Sequence, residues 1–151
     1  MSHQEKNITA SLVTSTLILG YYLIRILSMI SNESLISTKV FRLWGSVIVL
    51  TILGTIITTI LTHIFAAIFH AVKTGDDDPK IEDIEDERDK LINLKGTNIS
   101  HIFSSIGVAL SMLAFVLGQP ALIMFSLLIF FGIFAQIIGD ISRLVIYRRG
   151  F

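Results

Sequence analysis

The sequence predicts an all-α integral membrane protein, a four-helix bundle in which two hairpins are joined by an acidic amphipathic helix. Three observations lead there. The composition is 52% hydrophobic and 16% charged with a mean hydropathy of +0.74, more apolar surface than one small water-soluble core can hide. Four stretches, 8–30, 43–72, 99–118 and 121–147, are each apolar over the roughly 20 residues that cross a hydrocarbon core. Finally, nine of the twelve Asp and Glu residues fall between Asp76 and Asp89, in the one long connection. Nothing outside the four stretches is large enough to fold separately, so residues 1–151 read as a single membrane domain.

The first stretch, 8–30, is too long for a secretory signal core and is followed by no small-residue cleavage site, so it reads as a retained helix. The second, 43–72, begins beside Trp44, an aromatic anchor suited to the membrane interface. In the connection 73–97, Asp78-Pro79 reads as an N-cap followed by proline at the first helical position. Ile81, Ile84, Arg88, Leu91 and Lys95 then mark one stripe of a helix expected to end near Gly96, with Thr97 or Asn98 capping the third span. The acids at its start suit the helix dipole, and Glu85 with Arg88 and Asp86 with Lys90 are spaced as helix ion pairs. The run lacks the alternating oxygen ligands and turn glycine of an EF-hand. Gly118-Gln119-Pro120 is a tight turn into the fourth span.

Four spans place both termini and the 73–97 connection on one side. That side carries Lys6, Lys73, Lys80, Arg88, Lys90, Lys95, Arg148 and Arg149, against Lys39 and Arg42 on the other. The bias makes the first side cytoplasmic, and the acids of the connection do not reverse it.

Helices in lipid associate through small residues and hydroxyls. Thr51, Gly54, Thr55, Thr58, Thr59, Thr62 and Ala66 share one half of the second helix; Ser100, Ser104, Gly107, Ser111 and Gly118 recur along the third. Gly132, Gln136, Gly139, Asp140, Arg143 and Tyr147 share an arc of the fourth. All three stripes are expected to face the bundle interior, as packing surfaces or as a polar path, and they make a homo-oligomer a further expectation.

The candidate polar cluster is His63, His70, His101, Gln136, Asp140 and Arg143. Three imidazoles and a carboxylate have the chemistry of a zinc site or proton relay, but counting at about 1.5 Å per residue puts most of them at the interface, where such side chains are ordinary. Asp140 and Arg143, three apart, are spaced to satisfy each other, and Gln136 is expected well inside.

The stretch Asp86-Glu87-Arg88-Asp89, followed by Leu-Ile-Asn-Leu-Lys and a hairpin ending Tyr147-Arg148-Arg149-Gly150, resembles a family of small prokaryotic integral membrane proteins classed as a domain of unknown function. The resemblance covers residues 82–151 and implies a prokaryotic plasma-membrane protein, with no catalytic residues to carry over. Asn7-Ile8-Thr9 and Asn98-Ile99-Ser100 open the two hairpins alike, too short a match to establish a duplication.

With no cysteine there is neither a disulfide nor a thiolate site, and a net charge of +0 gives no footprint for nucleic acid. No nucleophile with its base and no phosphate-binding glycine loop can be assembled, so no enzyme and no cofactor are expected. Beyond the lipid bilayer itself, the leading expectation is an interaction or regulatory subunit docking a cytoplasmic or membrane protein through Asp86, Glu87, Arg88 and Asp89. The other is a small transporter or channel for an ion or small solute, using the polar stripes.

Overall fold

The structure, a computed structural model, describes residues 3–32, 35–74 and 87–149, with the backbone alone at 3, 62, 63, 65–67 and 69–74. The described residues form four helices: α1 His3–Ser31, α2 Ser37–Thr74, α3 Glu87–Val116 and α4 Ala121–Arg149. Among the described residues there is no strand. All four helices are long and apolar enough to cross a membrane, over Gln4–Ser31, Ser37–Leu61, Glu87–Val116 and Ala121–Arg149. The chain is an all-α, multi-pass membrane protein.

The turn between α3 and α4 forms for reasons visible in the sequence. Gly118 takes φ +90°, a left-handed conformation that costs a residue without Cβ little. Its amide donates to the Phe115 carbonyl and that of Gln119 to the Ala114 carbonyl, which satisfies the last carbonyls of α3 in a Schellman arrangement. Pro120 then accepts from Ile123 and starts α4. Of the third stripe, Ser104, Gly107 and Ser111 lie toward α4, while Gly118 is exposed in this turn.

The helices run alternately up and down and pack in the order α3, α4, α1, α2. The α3–α4 contact is the most extensive, and α2 meets α4 only slightly; neither α1 nor α2 packs more than marginally on α3 among the described residues. The tight α3–α4 approach follows from missing side chains: a Cβ on Gly107 would lie 2.3 Å from Cβ of Phe131, and one on Gly139 would lie 2.9 Å from Cβ of Ser100. The apolar core sits toward the end carrying the two interhelical connections, where Ile18, Tyr22 and Ile26 of α1 meet Leu43 and Val47 of α2. Ile129, Phe130 and Ile133 of α4 pack against that cluster. Tyr22, 2% exposed, donates its hydroxyl to the Ser126 carbonyl at 2.6 Å, so a large amphipathic ring enters lipid-like surroundings with its polar end satisfied.

Two expectations are corrected here. The helix expected to end near Gly96 does not end there: α3 runs unbroken from Glu87 through Gly96, Thr97 and Asn98 to Val116. The reason is tertiary, since Ile92 is fully buried and Gly96 is buried beneath the stem of Arg143, so continuing contact with α4 outweighs the roughly 1 kcal/mol a mid-helix glycine costs. The earlier part of that segment, through Asp86, lies outside the described residues.

The second correction concerns the stripes. On α2, Gly54 and Thr58 are partly covered against α1, whereas Thr51, Thr55 and Thr59 are exposed because no third helix covers that side. On α4, Gly132 and Gln136 are likewise exposed rather than interior. The side chains of Thr62 and Ala66 lie outside the described residues.

Gly107→Val is expected to lower stability by about 1–3 kcal/mol, because the added atoms meet Phe131 at the tightest helix crossing. Thermal unfolding in detergent measures it, with Gly20→Ala, where an added Cβ meets nothing within 4 Å, expected to hold stability or raise it by up to about 1 kcal/mol.

Candidate functional site

Gly139 brings α4 onto Gly96 and Ser100 of α3, and the next residue, Asp140, is turned about 100° further round the helix toward α1. The residue is 1% exposed. Such a carboxylate must be hydrogen-bonded or paired, since an isolated charge away from water is prohibitively costly. Three side chains meet it. Ser11 of α1 donates to Oδ2 at 2.8 Å, Arg143 one turn on donates Nη1 to Oδ1 at 2.5 Å, and the Gln136 amide one turn back lies 3.4 and 3.5 Å from the two oxygens, at the limit of hydrogen bonding.

The guanidinium continues the connection. Its Nη2 donates to Thr97 Oγ1 of α3 at 2.9 Å, so one chain of polar bonds runs Ser11, Asp140, Arg143, Thr97 and ties α1, α4 and α3 together. Arg143 reaches Thr97 by lying across Gly96, where a Cβ would stand 2.3 Å from its Cγ and 2.8 Å from its Nε. That Nε is buried without a hydrogen-bond partner among the described residues. Beyond it, Tyr147 donates to Asp89 Oδ1 at 2.5 Å, fastening the start of α3 to the end of α4.

On the other side of Ser11 a groove of about 190 Å³ lies between α1 and α2. Asn7, Ser11, Thr14 and Ser15 form one wall, Thr51, Thr55, Thr58 and Thr59 the other, with Ile18 at the end nearer the apolar core. The helices are pinned midway by the Thr14 and Thr58 hydroxyls, 3.1 Å apart, and by Gly54, where a Cβ would lie 2.7 Å from the Thr14 methyl.

The directions of five hydroxyl protons bear on what the groove offers. Thr14, Thr51, Thr55 and Thr59 each donate to the carbonyl four residues earlier, and Ser11 donates to Asp140. A hydroxyl has one proton and two lone pairs, so these five keep acceptor oxygen at the groove, that of Thr14 shared with the Thr58 hydroxyl. Among the described residues no Lys or Arg lines it. The ion pair behind it is oriented to match, with the carboxylate toward α1 and the guanidinium toward α3.

Of the residues expected to cluster, the structure brings Gln136, Asp140 and Arg143 together. His101 is exposed and stands apart from them; the side chains of His63 and His70 lie outside the described residues. Among the described residues no three His, Cys, Asp or Glu side chains are placed to hold a metal ion. Of the candidate docking residues, Glu87 and Arg88 are exposed, Asp89 is engaged by Tyr147, and Asp86 lies outside the described residues.

Sequence reasoning missed Ser11 and Thr97 as partners of the ion pair and missed the α1 wall of the groove altogether. A signal was present, since Asn7, Ser11, Thr14, Ser15 and Ile18 follow the spacing of one helix face. No family model, curated protein or solved structure matches the chain.

Asp140→Asn is expected to cost about 3 kcal/mol or more by leaving the Arg143 charge without its counter-ion, and adding Arg143→Gln is expected to restore part of the loss. Thermal unfolding midpoints of the two variants measure both effects. Equal midpoints for wild type and Asp140→Asn would mean that the pair does not hold the helices.

Proposed function

We propose that this is a non-enzymatic membrane protein that takes a small cation, or a small solute rich in hydrogen-bond donors, into the groove between α1 and α2 and moves it through the bilayer. The observation carrying this reading is the direction of the hydroxyl protons: Ser11, Thr14, Thr51, Thr55 and Thr59 all spend theirs within the protein and offer oxygen to the groove. A wall of acceptors backed by the Asp140 carboxylate favours a ligand that brings positive charge or protons and disfavours an anion. The Ser11 oxygen is the strongest of these acceptors, because donating to an anion polarises the hydroxyl.

The excess of Lys and Arg at the end bearing both termini supports cytoplasmic termini, which makes Asn7 the cytoplasmic mouth of the groove. The resemblance of residues 82–151 to small prokaryotic membrane proteins supports the plasma membrane as its location. A second reading, an interaction or regulatory subunit, has one observation in its favour: Glu87 and Arg88 stay exposed at the start of α3, where a partner can reach them. Loss of a co-purifying protein on replacing 76–89 by a neutral linker is the result expected under that reading.

Transport is tested by flux into proteoliposomes, comparing wild type with Thr55→Val/Thr59→Val, which keeps shape and removes two acceptors. Each hydrogen bond to a charged group contributes about 1.5–3 kcal/mol, so flux at limiting concentration is expected to fall at least about tenfold. Thr16→Val removes an exposed hydroxyl that donates to the Leu12 carbonyl in the same manner but stands outside the groove, and is expected to change nothing. Flux equal in all three proteins, or absent from wild type, would sink the transport reading. The cysteine-free chain also allows topology to be read directly: Lys6→Cys is expected to react with an impermeant thiol reagent only from the cytoplasmic side, Thr38→Cys only from the other.

A further inference from the structure

At the opposite end of the molecule from the groove's mouth, three basic residues from two helices meet in one crevice. Arg25 comes from the last turns of α1, Lys39 and Arg42 from the first turns of α2, and together they border a cavity of about 410 Å³. Its remaining wall is Tyr21, Met29, Leu43 and Ser46. Among the described residues no carboxylate lines it.

We propose that this crevice binds the phosphate headgroup of an anionic phospholipid. All three cations are exposed, and gathering them with no carboxylate beside them among the described residues builds a positive potential that an anion relieves. Two of the three are guanidiniums, whose forked donors match the paired oxygens of a phosphodiester. The Arg25 guanidinium lies 5.8 Å from the centre of the Tyr21 ring, which holds it at the rim of the crevice. Tyr21 is itself tied to α2 by its hydroxyl, 3.4 Å from that of Ser46.

The apolar part of the wall makes the ligand amphiphilic rather than inorganic. Met29 and Leu43 offer surface to glycerol and the first methylenes of an acyl chain, where free phosphate has nothing to place. The level is also right. Phe41, a neighbour of Arg42, has its ring centre 6.3 Å from that of Trp44 and 5.9 Å from that of Phe125, an aromatic group suited to the boundary of hydrocarbon and headgroups. A crevice between two membrane helices, basic at its mouth and greasy at its floor, has the chemistry of a lipid-headgroup site.

The test uses the purified full-length protein in detergent, titrated separately with phosphatidylglycerol, phosphatidylcholine and inorganic phosphate. Retained lipid is read by native mass spectrometry and protection by the thermal unfolding midpoint. Phosphatidylglycerol is expected to be retained and to raise the midpoint, and Arg25→Gln/Arg42→Gln to weaken its binding about tenfold or more. Arg148→Gln/Arg149→Gln removes two charges at the other end of the molecule and is expected to bind as wild type does, which separates a built site from general attraction to basic protein. Equal retention of phosphatidylcholine, or wild-type affinity in Arg25→Gln/Arg42→Gln, overturns the proposal. Protection by inorganic phosphate equal to that by phosphatidylglycerol overturns the lipid assignment, leaving only an anion site.

Discussion

A carboxylate inside a membrane bundle has to be answered from within the protein, and the arrangement of this molecule follows from how Asp140 is answered. Water is not available to it at 1% exposure, so each of its oxygens takes a donor, one from the serine hydroxyl of α1 and one from the arginine of its own helix. The arginine in turn needs somewhere to lie, and Gly96 supplies it by lacking a side chain. Three helices are positioned by one charge and its partners.

The same demand divides the bundle into a tight half and an open half. Between α3 and α4, glycine and serine let the backbones close, and the hydroxyl of Ser111 bonds back to its own helix at the Gly107 carbonyl, so polarity there serves packing. Between α1 and α2 the hydroxyls are larger in number, and beside the Thr14–Thr58 contact they border an open groove. Threonines that return their protons to their own backbone cost nothing in lipid surroundings and still leave lone pairs exposed. Helix packing and ligand binding therefore draw on the same side chains, and the difference lies in whether another helix covers them.

The two ends of the molecule differ in a related way. At the end bearing the termini, two carboxylates take donors within the protein, Asp140 from Arg143 and Asp89 from the Tyr147 hydroxyl. At the other end, Arg25, Lys39 and Arg42 converge with no described acid among them.

Composition and hydropathy determined that this chain spans a bilayer with four helices, because apolar runs of that length have no other stable place to go. Local chemistry likewise determined the Gly118 turn and the spacing of Asp140 and Arg143, since both depend on residues within a few positions of one another. What lay beyond reach were the relations between helices. Whether Gly96 ends a helix or seats an arginine depends on α4; whether Thr55 packs or faces a groove depends on where no helix stands; Gln136 was expected inside and is exposed for that same reason. Ser11 carries no local mark of a partnership with Asp140, 129 positions away. Periodicity names the polar face of a helix, but only the tertiary structure decides what that face meets, because burial and hydrogen bonding are properties of pairs of surfaces.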